Sequence, residues 1–154
     1  MNKLILIALL SFLSFQASAA SVIVGGLSYH TFETFREGPL TKKINNTNPL
    51  IAFEVDGWII GKMKNSYHEK STFVAKNVWL VEKQYLKFGV MGMLANKYTQ
   101  LQDPNQKSQT IRFGSLQPMA YFTFESAKIF DSPVSLLVLA IPTSAYVLTA
   151  KIDF

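Results

Sequence analysis

The final segment of the chain, residues 146–154, alternates between apolar and mostly polar side chains. Its apolar positions are Tyr146, Leu148, Ala150, Ile152 and Phe154. A period of two sustained over this length predicts a β-strand with one apolar face. A soluble sandwich can end on such a strand, but an apolar face that closes on an aromatic terminal residue is also typical of outer-membrane barrels.

Seven further segments are rich in β-branched and aromatic residues and are bounded by turn-forming residues. They cover 22–32, 50–55, 58–66, 72–81, 86–99, 111–125 and 134–141. The Asp56-Gly57 pair between two of these segments is a strong hairpin signal. Other breaks are predicted at Pro39, at 45–46 and at Asn48-Pro49, and a polar loop is predicted over 100–109. Together with the terminal segment, the pattern predicts eight strands.

The first nineteen residues have the pattern of a secretory signal peptide. Lys3 precedes an apolar run over 4–15, and Ala17-Ser18-Ala19 forms a small-residue cleavage site. The apolar run is shorter than the roughly twenty residues that a spanning helix needs. We therefore expect cleavage after residue 19 and a mature domain over 20–154, with a retained N-terminal anchor as the alternative.

Composition narrows the possible chemistry. The chain of 154 residues has no cysteine, so disulfides, thiol nucleophiles and cysteine-ligated metals are excluded. Lys and Arg exceed Asp and Glu by 15 to 10, but no basic run points to nucleic acid. The surplus fits an anionic membrane surface. We expect no cofactor or metal, no nucleic-acid partner and a monomeric protein.

Strand length, strand number and the aromatic terminus together predict the architecture. Transmembrane barrels use strands of about 9 to 11 residues, and eight strands is their smallest common number. The prediction is an all-β protein, an eight-stranded antiparallel up-and-down transmembrane β-barrel located in the outer membrane after signal-peptide cleavage. A soluble lipocalin-like barrel is the main alternative.

The fifth predicted strand carries small and flexible residues on one face. Gly89, Met91, Met93 and Ala95 share that face. If the face points inward, the lumen has an apolar lining that would suit an acyl chain. The alternative is that these residues only pack a tight core, since methionine commonly fills gaps.

Candidates for general base catalysis near neutral pH are few, because the chain has two histidines. His30 ends the first predicted strand, and Asn65 and Ser66 end the third. In an up-and-down barrel these positions lie at the same rim, within reach of one another. The alternative is that His30 caps a strand and that Asn65-Ser66 is ordinary turn chemistry. His68 is expected to be a solvated loop residue, because it is followed by Glu69 and Lys70.

Several short blocks, in order along the chain, resemble a known family. They are Ser28-Tyr29-His30, Asp56-Gly57-Trp58 with the following Lys64-Asn65-Ser66-Tyr67, Leu116-Gln117-Pro118-Met119-Ala120-Tyr121, Ser132-Pro133-Val134, Ala140-Ile141-Pro142 and the terminal Phe154. In these blocks and in its signal-plus-barrel layout the chain resembles the outer-membrane lipid A palmitoyltransferase (PagP-type) family.

The resemblance implies that a fatty acyl chain is moved from a phospholipid to lipid A, the lipid component of lipopolysaccharide, with the chain held in an apolar lumen. It implies His30 as the catalytic histidine and Ser66 as the catalytic serine. Asn65 falls where the family has aspartate. An asparagine can orient an imidazole by hydrogen bonding but cannot stabilise its cation. The family also has an amphipathic helix before its first strand, for which the mature chain has no room.

Pro118 and Pro142 are the candidates for a lateral opening through which lipid reaches the barrel. Proline cannot donate to a strand ladder, so it marks a local gap in the hydrogen bonding of a barrel wall. Prolines at matching spacing mark such an opening in the resembling family. The alternative is that each proline only bounds a strand. The alternative function is a non-catalytic outer-membrane barrel that binds lipid or masks a surface component.

Overall fold

The computed structural model describes residues 20–31, 33–37, 40–97, 116–141 and 144–154. The predicted signal peptide and the predicted loop at 100–109 lie outside these residues. The strands are β1 (Ala20–His30), β2 (Thr34–Glu37), β3 (Leu40–Lys43), β4 (Thr47–Val55), β5 (Trp58–Lys64), β6 (Lys70–Glu82), β7 (Leu86–Asn96), β8 (Leu116–Ser126), β9 (Val134–Ile141) and β10 (Ala145–Asp153).

Eight of these strands close into an antiparallel barrel in the order β1-β10-β9-β8-β7-β6-β5-β4. Closure occurs where β1 pairs with β10 on one side and with β4 on the other. The prediction of an all-β, eight-stranded antiparallel barrel is confirmed. Of the described segments, the only helical one is a short 3-10 turn at Ile129–Asp131, and none is long or apolar enough to be a helix that crosses a membrane.

The two ends of the barrel differ in their connections. The lower rim carries Ala20 at the start of β1, the tight turn between β4 and β5, and Phe154. The upper rim carries His30 at the end of β1, the β5–β6 turn, and the β1–β4 connection, which contains the small β2–β3 hairpin. The sequence pattern did not predict that hairpin, because its two strands are only four residues long.

The predicted hairpin at Asp56-Gly57 is confirmed. Both residues have positive φ, 50° and 73°, and they join Val55 to its partner Trp58. Positive φ at both central positions is the requirement of the type I′ turn that matches strand twist. The local sequence therefore determines this turn by itself.

The break predicted at Asn48-Pro49 is wrong, since both residues lie inside β4. The neighbouring strand β1 is irregular instead, because its register with β4 shifts between Gly25 and Leu27, opposite this segment. Gly26 has φ of 132°, and a Cβ there would lie 1.9 Å from the Asn48 carbonyl oxygen. Only glycine allows this close approach of the two backbones, and the resulting bulge accommodates Pro49 within the wall.

The middle of the lumen is filled by inward-facing apolar side chains. They include Ile23, Leu50, Ala52, Ile59, Phe73, Met91, Met93, Leu137 and Leu139. The void that remains between them is about 10 Å³. An eight-stranded barrel has an interior just wide enough for packed side chains, and here those side chains occupy it.

The outer wall is apolar over most of its surface. Its exposed large side chains include Leu27, Ile51, Phe53, Ile60, Val74, Val78, Leu80, Val90, Leu94, Phe122, Phe124, Leu136 and Leu148. Aromatic residues mark both ends of the wall. Tyr29 faces Tyr146 across the β1–β10 pair near the upper rim, and Trp58, Tyr85 and Phe154 are exposed near the lower rim.

Candidate active site

His30 and Ser66 meet at the upper mouth of the barrel. The Ser66 Oγ lies 3.1 Å from the His30 Nε2, within hydrogen-bond distance. His30 is the last residue of β1 and Ser66 lies in the β5–β6 turn, so the contact joins parts of the chain that are 36 residues apart. Both side chains are half-buried. At this distance an unprotonated imidazole nitrogen can accept the proton of a hydroxyl.

Ser28 brings a second hydroxyl to the same nitrogen. It lies two residues before His30 on the inward face of β1, and its Oγ is 3.1 Å from the His30 Nε2. Ser28 Oγ also donates to the Asn48 Oδ1, which is the shorter of these contacts. Since a serine has one proton, a Ser28 that donates to Asn48 can only accept from His30. The Asn48–Ser28 pair therefore favours the His30 tautomer with a proton on Nε2.

Asn65 makes hydrogen bonds within its own turn, to β6 and to the residue after β7. Its Oδ1 accepts from the backbone N–H groups of Tyr67 (3.0 Å) and Glu69 (2.9 Å). Its Nδ2 donates to the Ser71 Oγ (3.1 Å) and to the Lys97 carbonyl oxygen (2.9 Å). An asparagine side chain has four hydrogen-bonding positions, and all four are occupied. Among the described residues, none of these bonds reaches His30, so Asn65 shapes the β5–β6 turn and ties it to the end of β7.

His68, two residues after Ser66 in the turn, contacts the β2–β3 hairpin. His68 has φ of 66°, is exposed, and places its Nε2 3.0 Å from the Lys43 carbonyl oxygen in β3. Burial raises the pKa of the Tyr67 hydroxyl, so this group stays protonated at neutral pH. His68 therefore links the turn to the β2–β3 hairpin.

The residues predicted for the acyl-lined lumen face inward. Met91 and Met93 are buried in the apolar core of the lumen, and Gly89 lies below them. A Cβ on Gly89 would come within 2.9 Å of the Thr123 Oγ1 and within 2.5 Å of the Val78 carbonyl oxygen. The predicted face is thus the lumen face, and the side chains around it are closely packed.

Of the two prolines predicted at a lateral opening, the structure describes only Pro118. Pro118 lies on β8 opposite Leu94 of β7, and the β7–β8 register is continuous across it. On its other side, the described β8–β9 ladder runs only from Phe122 opposite Ala140 to Glu125 opposite Leu137. Pro118 therefore lies in the part of β8 above this ladder. Pro142 lies outside the described residues.

A second polar cluster, at the lower end of the lumen, was not predicted from the sequence. Lys151 Nζ lies 3.0 Å from the Glu54 Oε2 and 3.0 Å from the Glu125 Oε2. Ser135 Oγ donates to the other oxygen of Glu125 at 3.2 Å, and Lys151 also lies over the Trp79 ring at 5.8 Å. The sequence contains one signal for this cluster. In the final strand Lys151 lies on the face opposite the apolar residues, and this face points into the lumen.

The described residues contain no group of three or more histidine or acidic side chains placed to hold a metal ion. At the upper mouth the structure places a serine hydroxyl beside an imidazole. No known family model matches the chain, and no curated protein matches it. The resemblance to lipid A palmitoyltransferases thus depends on the short blocks of sequence alone.

Proposed function

We propose that the protein is an outer-membrane β-barrel. The outer wall exposes many large apolar side chains, and a soluble protein rarely exposes so extended an apolar surface. A strand of 11 residues, such as β1, spans about 25 Å when tilted by about 45°, which matches the apolar band of membrane barrels. The aromatic residues at both ends of the wall also support a barrel that spans the membrane, because such girdles lie at the two membrane interfaces.

Cell fractionation tests the membrane location. The barrel should be recovered with outer membranes, and its mobility on a gel should change when the sample is heated. Recovery in the soluble periplasmic fraction would instead support the lipocalin-like alternative.

The proposed activity is transfer of an acyl chain from a phospholipid to lipid A at the upper mouth. The observation that carries it is the 3.1 Å contact between the His30 Nε2 and the Ser66 Oγ. In one route the imidazole activates the serine hydroxyl as a nucleophile. In the other route the hydroxyl polarises the substrate ester. The histidine is the base in both routes. The position of this pair at a rim, beside an apolar wall, favours a lipid substrate.

In the first half of the proposed reaction, the Ser66 Oγ attacks the ester carbonyl carbon of the phospholipid while its proton passes to His30. The ester C–O bond then breaks, and His30 returns the proton to the departing glycerol oxygen. In the second half, a lipid A hydroxyl attacks the acyl-serine and loses its proton to His30, which protonates Ser66 as the acyl–serine bond breaks. In the alternative route Ser66 only polarises the ester carbonyl, and a lipid A hydroxyl attacks it directly while losing its proton to His30. His30 then passes this proton to the departing glycerol oxygen as the ester C–O bond breaks.

The deciding experiment is mass spectrometry of lipid A from cells with and without the protein. We expect one additional acyl mass, and a decrease of at least about a hundredfold in both His30→Ala and Ser66→Ala. His68→Ala is the matched control, since its side chain contacts the Lys43 carbonyl oxygen. Detection of an acyl group on Ser66 would select the two-step route. Transfer that persists in His30→Ala would contradict the proposal.

The second candidate function is a non-catalytic barrel that binds lipid or masks a surface component. Two observations favour it. The lumen void of about 10 Å³ leaves no space for an acyl chain without rearrangement of the packed side chains. All four hydrogen-bonding positions of Asn65 are occupied by Tyr67, Glu69, Ser71 and Lys97, and none of these bonds reaches His30. Purified barrel in lipid that shows no transfer dependent on His30 would support this function over the first.

A further inference from the structure

Charge on the outer wall is confined to one side of the barrel. In the described barrel strands, the outward-facing charged residues all lie on β5 and β6: Lys62, Lys64, Lys70 and Lys76. The outward positions of the other six strands are apolar or uncharged. Four lysines make this side of the wall cationic.

A groove lies on the same side of the barrel. Its volume is about 570 Å³, within the roughly 300–1,000 Å³ range of small-molecule sites. Its apolar lining comes from β4 to β8 and includes Phe53, Ile60 and Val74. Lys62 and Thr72, which face each other across the β5–β6 pair, line it as well, one step nearer the upper rim than Ile60 and Val74. The groove thus has an apolar body and a cationic upper end.

The lysines at this upper end have no anionic partner among the described residues. Lys62, Lys64 and Lys70 form no ion pair there, whereas Lys151 in the lumen contacts two carboxylates. Lys64 and Lys70 also face each other directly across the β5–β6 pair. Like charges directly opposite on one sheet face are destabilising. An anion bound above the groove would relieve this repulsion.

We propose that this outer-wall groove binds one glycerophospholipid, with an acyl chain along Phe53, Ile60 and Val74 and the phosphate beside Lys62. The apolar body matches the chain, and the unpaired ammonium groups match the phosphate in charge. The groove faces outward, so the lipid reaches it from the bilayer without entering the filled lumen. This inference depends on the proposed membrane location but not on the proposed acyl transfer.

The position of the groove relates it to the upper mouth. Lys62 is followed by Lys64 at the end of β5, and Ser66 comes next in the turn. At about 3.3 Å per residue, Lys64 lies roughly 7 Å above Lys62 along β5, and Ser66 follows in the turn above it. A lipid held at Lys62 is therefore held below the turn that carries Ser66.

Native mass spectrometry of the folded barrel in non-ionic detergent tests the inference. The probes are phosphatidylglycerol and a diacylglycerol of the same acyl chains, which differ in the phosphate headgroup. Wild type should bind phosphatidylglycerol more tightly than diacylglycerol. Lys62→Gln should weaken only phosphatidylglycerol, by about fivefold, which corresponds to roughly 1 kcal/mol for one lysine near a lipid surface. Thr72→Trp should weaken both probes, because the indole fills the groove.

Two matched variants control for non-specific lipid. Lys76→Gln removes an outward lysine of β6 that does not line the groove, and Leu148→Trp adds an indole to β10 on the opposite wall. Both should bind as wild type, and heat-shifted gel mobility checks that each variant is folded. Equal affinity of wild type for the two probes would overturn the inference, as would equal losses in the test and control variants.

The outcome is separable from that of the proposed activity. His30→Ala should bind phosphatidylglycerol as wild type does, since His30 faces the lumen mouth. If binding follows the predicted pattern and no lipid A product forms, only the transferase proposal fails. If transfer depends on His30 but Lys62→Gln and Thr72→Trp bind normally, only the groove proposal fails.

Discussion

The two polar clusters of the lumen, one at each end, differ in how their groups are satisfied. At the lower end, Lys151 bridges Glu54 and Glu125, and all three side chains are at most 7% exposed. At the upper end, His30 is half-buried and presents one nitrogen to two hydroxyls. The lower cluster is a sealed ionic network, whereas the upper cluster is open at the rim.

This difference separates a structural role from a chemical one. Charges buried in the narrow lower lumen are tolerated because each has a partner of opposite sign at 3.0 Å. Serine and histidine at the upper end carry no obligatory charge, and their shared proton can be in more than one position. A proton that can move between neighbouring groups is what general base catalysis requires. The comparison therefore predicts a stabilising role for the lower cluster, whereas the reactivity of the upper cluster remains the proposal made above.

The largest loss of stability is expected from Lys151→Met. The substitution leaves the Glu54 and Glu125 carboxylates buried without their cation, and removal of one partner of a buried ion pair typically costs about 3–5 kcal/mol. We expect a loss of that size in the free energy of unfolding, measured by guanidinium titration in detergent with tryptophan fluorescence as the signal.

A triple variant separates the missing charge from the missing side chain. Lys151→Met combined with Glu54→Gln and Glu125→Gln removes the uncompensated charge and should recover at least half of the lost stability. If Lys151→Met alone unfolds with the wild-type free energy, the lower cluster is not a stabilising network and the comparison fails.

Substitution of Asn65 should change the free energy of unfolding by an intermediate amount, and it tests whether Asn65 stabilises the β5–β6 turn. Asn65→Ala removes four hydrogen bonds from a fully buried site, and a buried group left unsatisfied costs about 1–3 kcal/mol. Asn65→Asp keeps the two acceptor bonds from Tyr67 and Glu69 but places a carboxylate oxygen near the Lys97 carbonyl oxygen. We therefore expect both variants to lower the free energy of unfolding and neither to raise acyl transfer.

An increase of acyl transfer in Asn65→Asp would instead show that residue 65 acts on His30, as the family resemblance implies. Ser71→Ala is the matched structural control. It removes one acceptor of Asn65 while leaving His30 untouched, so it should lower stability by less than Asn65→Ala does.

The smallest effect is expected from Ser28→Ala. Ser28 donates to Asn48 and therefore accepts a hydrogen bond from the His30 Nε2. This bond favours a proton on Nε2, the nitrogen that must be unprotonated to accept the proton of Ser66. Loss of one hydrogen bond of about 0.5–1.5 kcal/mol would release this tautomer and raise the rate of transfer by roughly two- to tenfold. Rate measurements on purified barrel check this, and a decreased rate would show that Ser28 supports His30 rather than competing with Ser66.

Sequence pattern predicted the barrel strands well because each strand is a local feature. The alternation at 146–154 and the Asp56-Gly57 pair depend on neighbouring residues only, and β10 and the β4–β5 hairpin follow from them. The Asn48-Pro49 break was wrong because the glycines that accommodate it lie on β1, more than twenty residues earlier. Proline usually ends a strand, but a bulge on the neighbouring strand removed the conflict.

The candidate site was predicted in part. His30 and Ser66 were expected at one rim, and the structure brings them to 3.1 Å. The involvement of Ser28 and Asn48 was missed, although Ser28 shares its strand face with His30 at a spacing of two. The resemblance placed Asn65 beside the histidine, but the bonds of Asn65 depend on the geometry of its turn and on the carbonyl of Lys97.

The sequence by itself determined where the barrel strands run and which residues share a face, because side chains alternate with a period of two in any strand. It did not determine which face points inward. Closure of the eight strands decided that, and it placed Glu54, Glu125 and Lys151 in one lumen although they come from β4, β8 and β10. The register between strands distant in the chain sets these contacts, and register depends on the whole closed sheet.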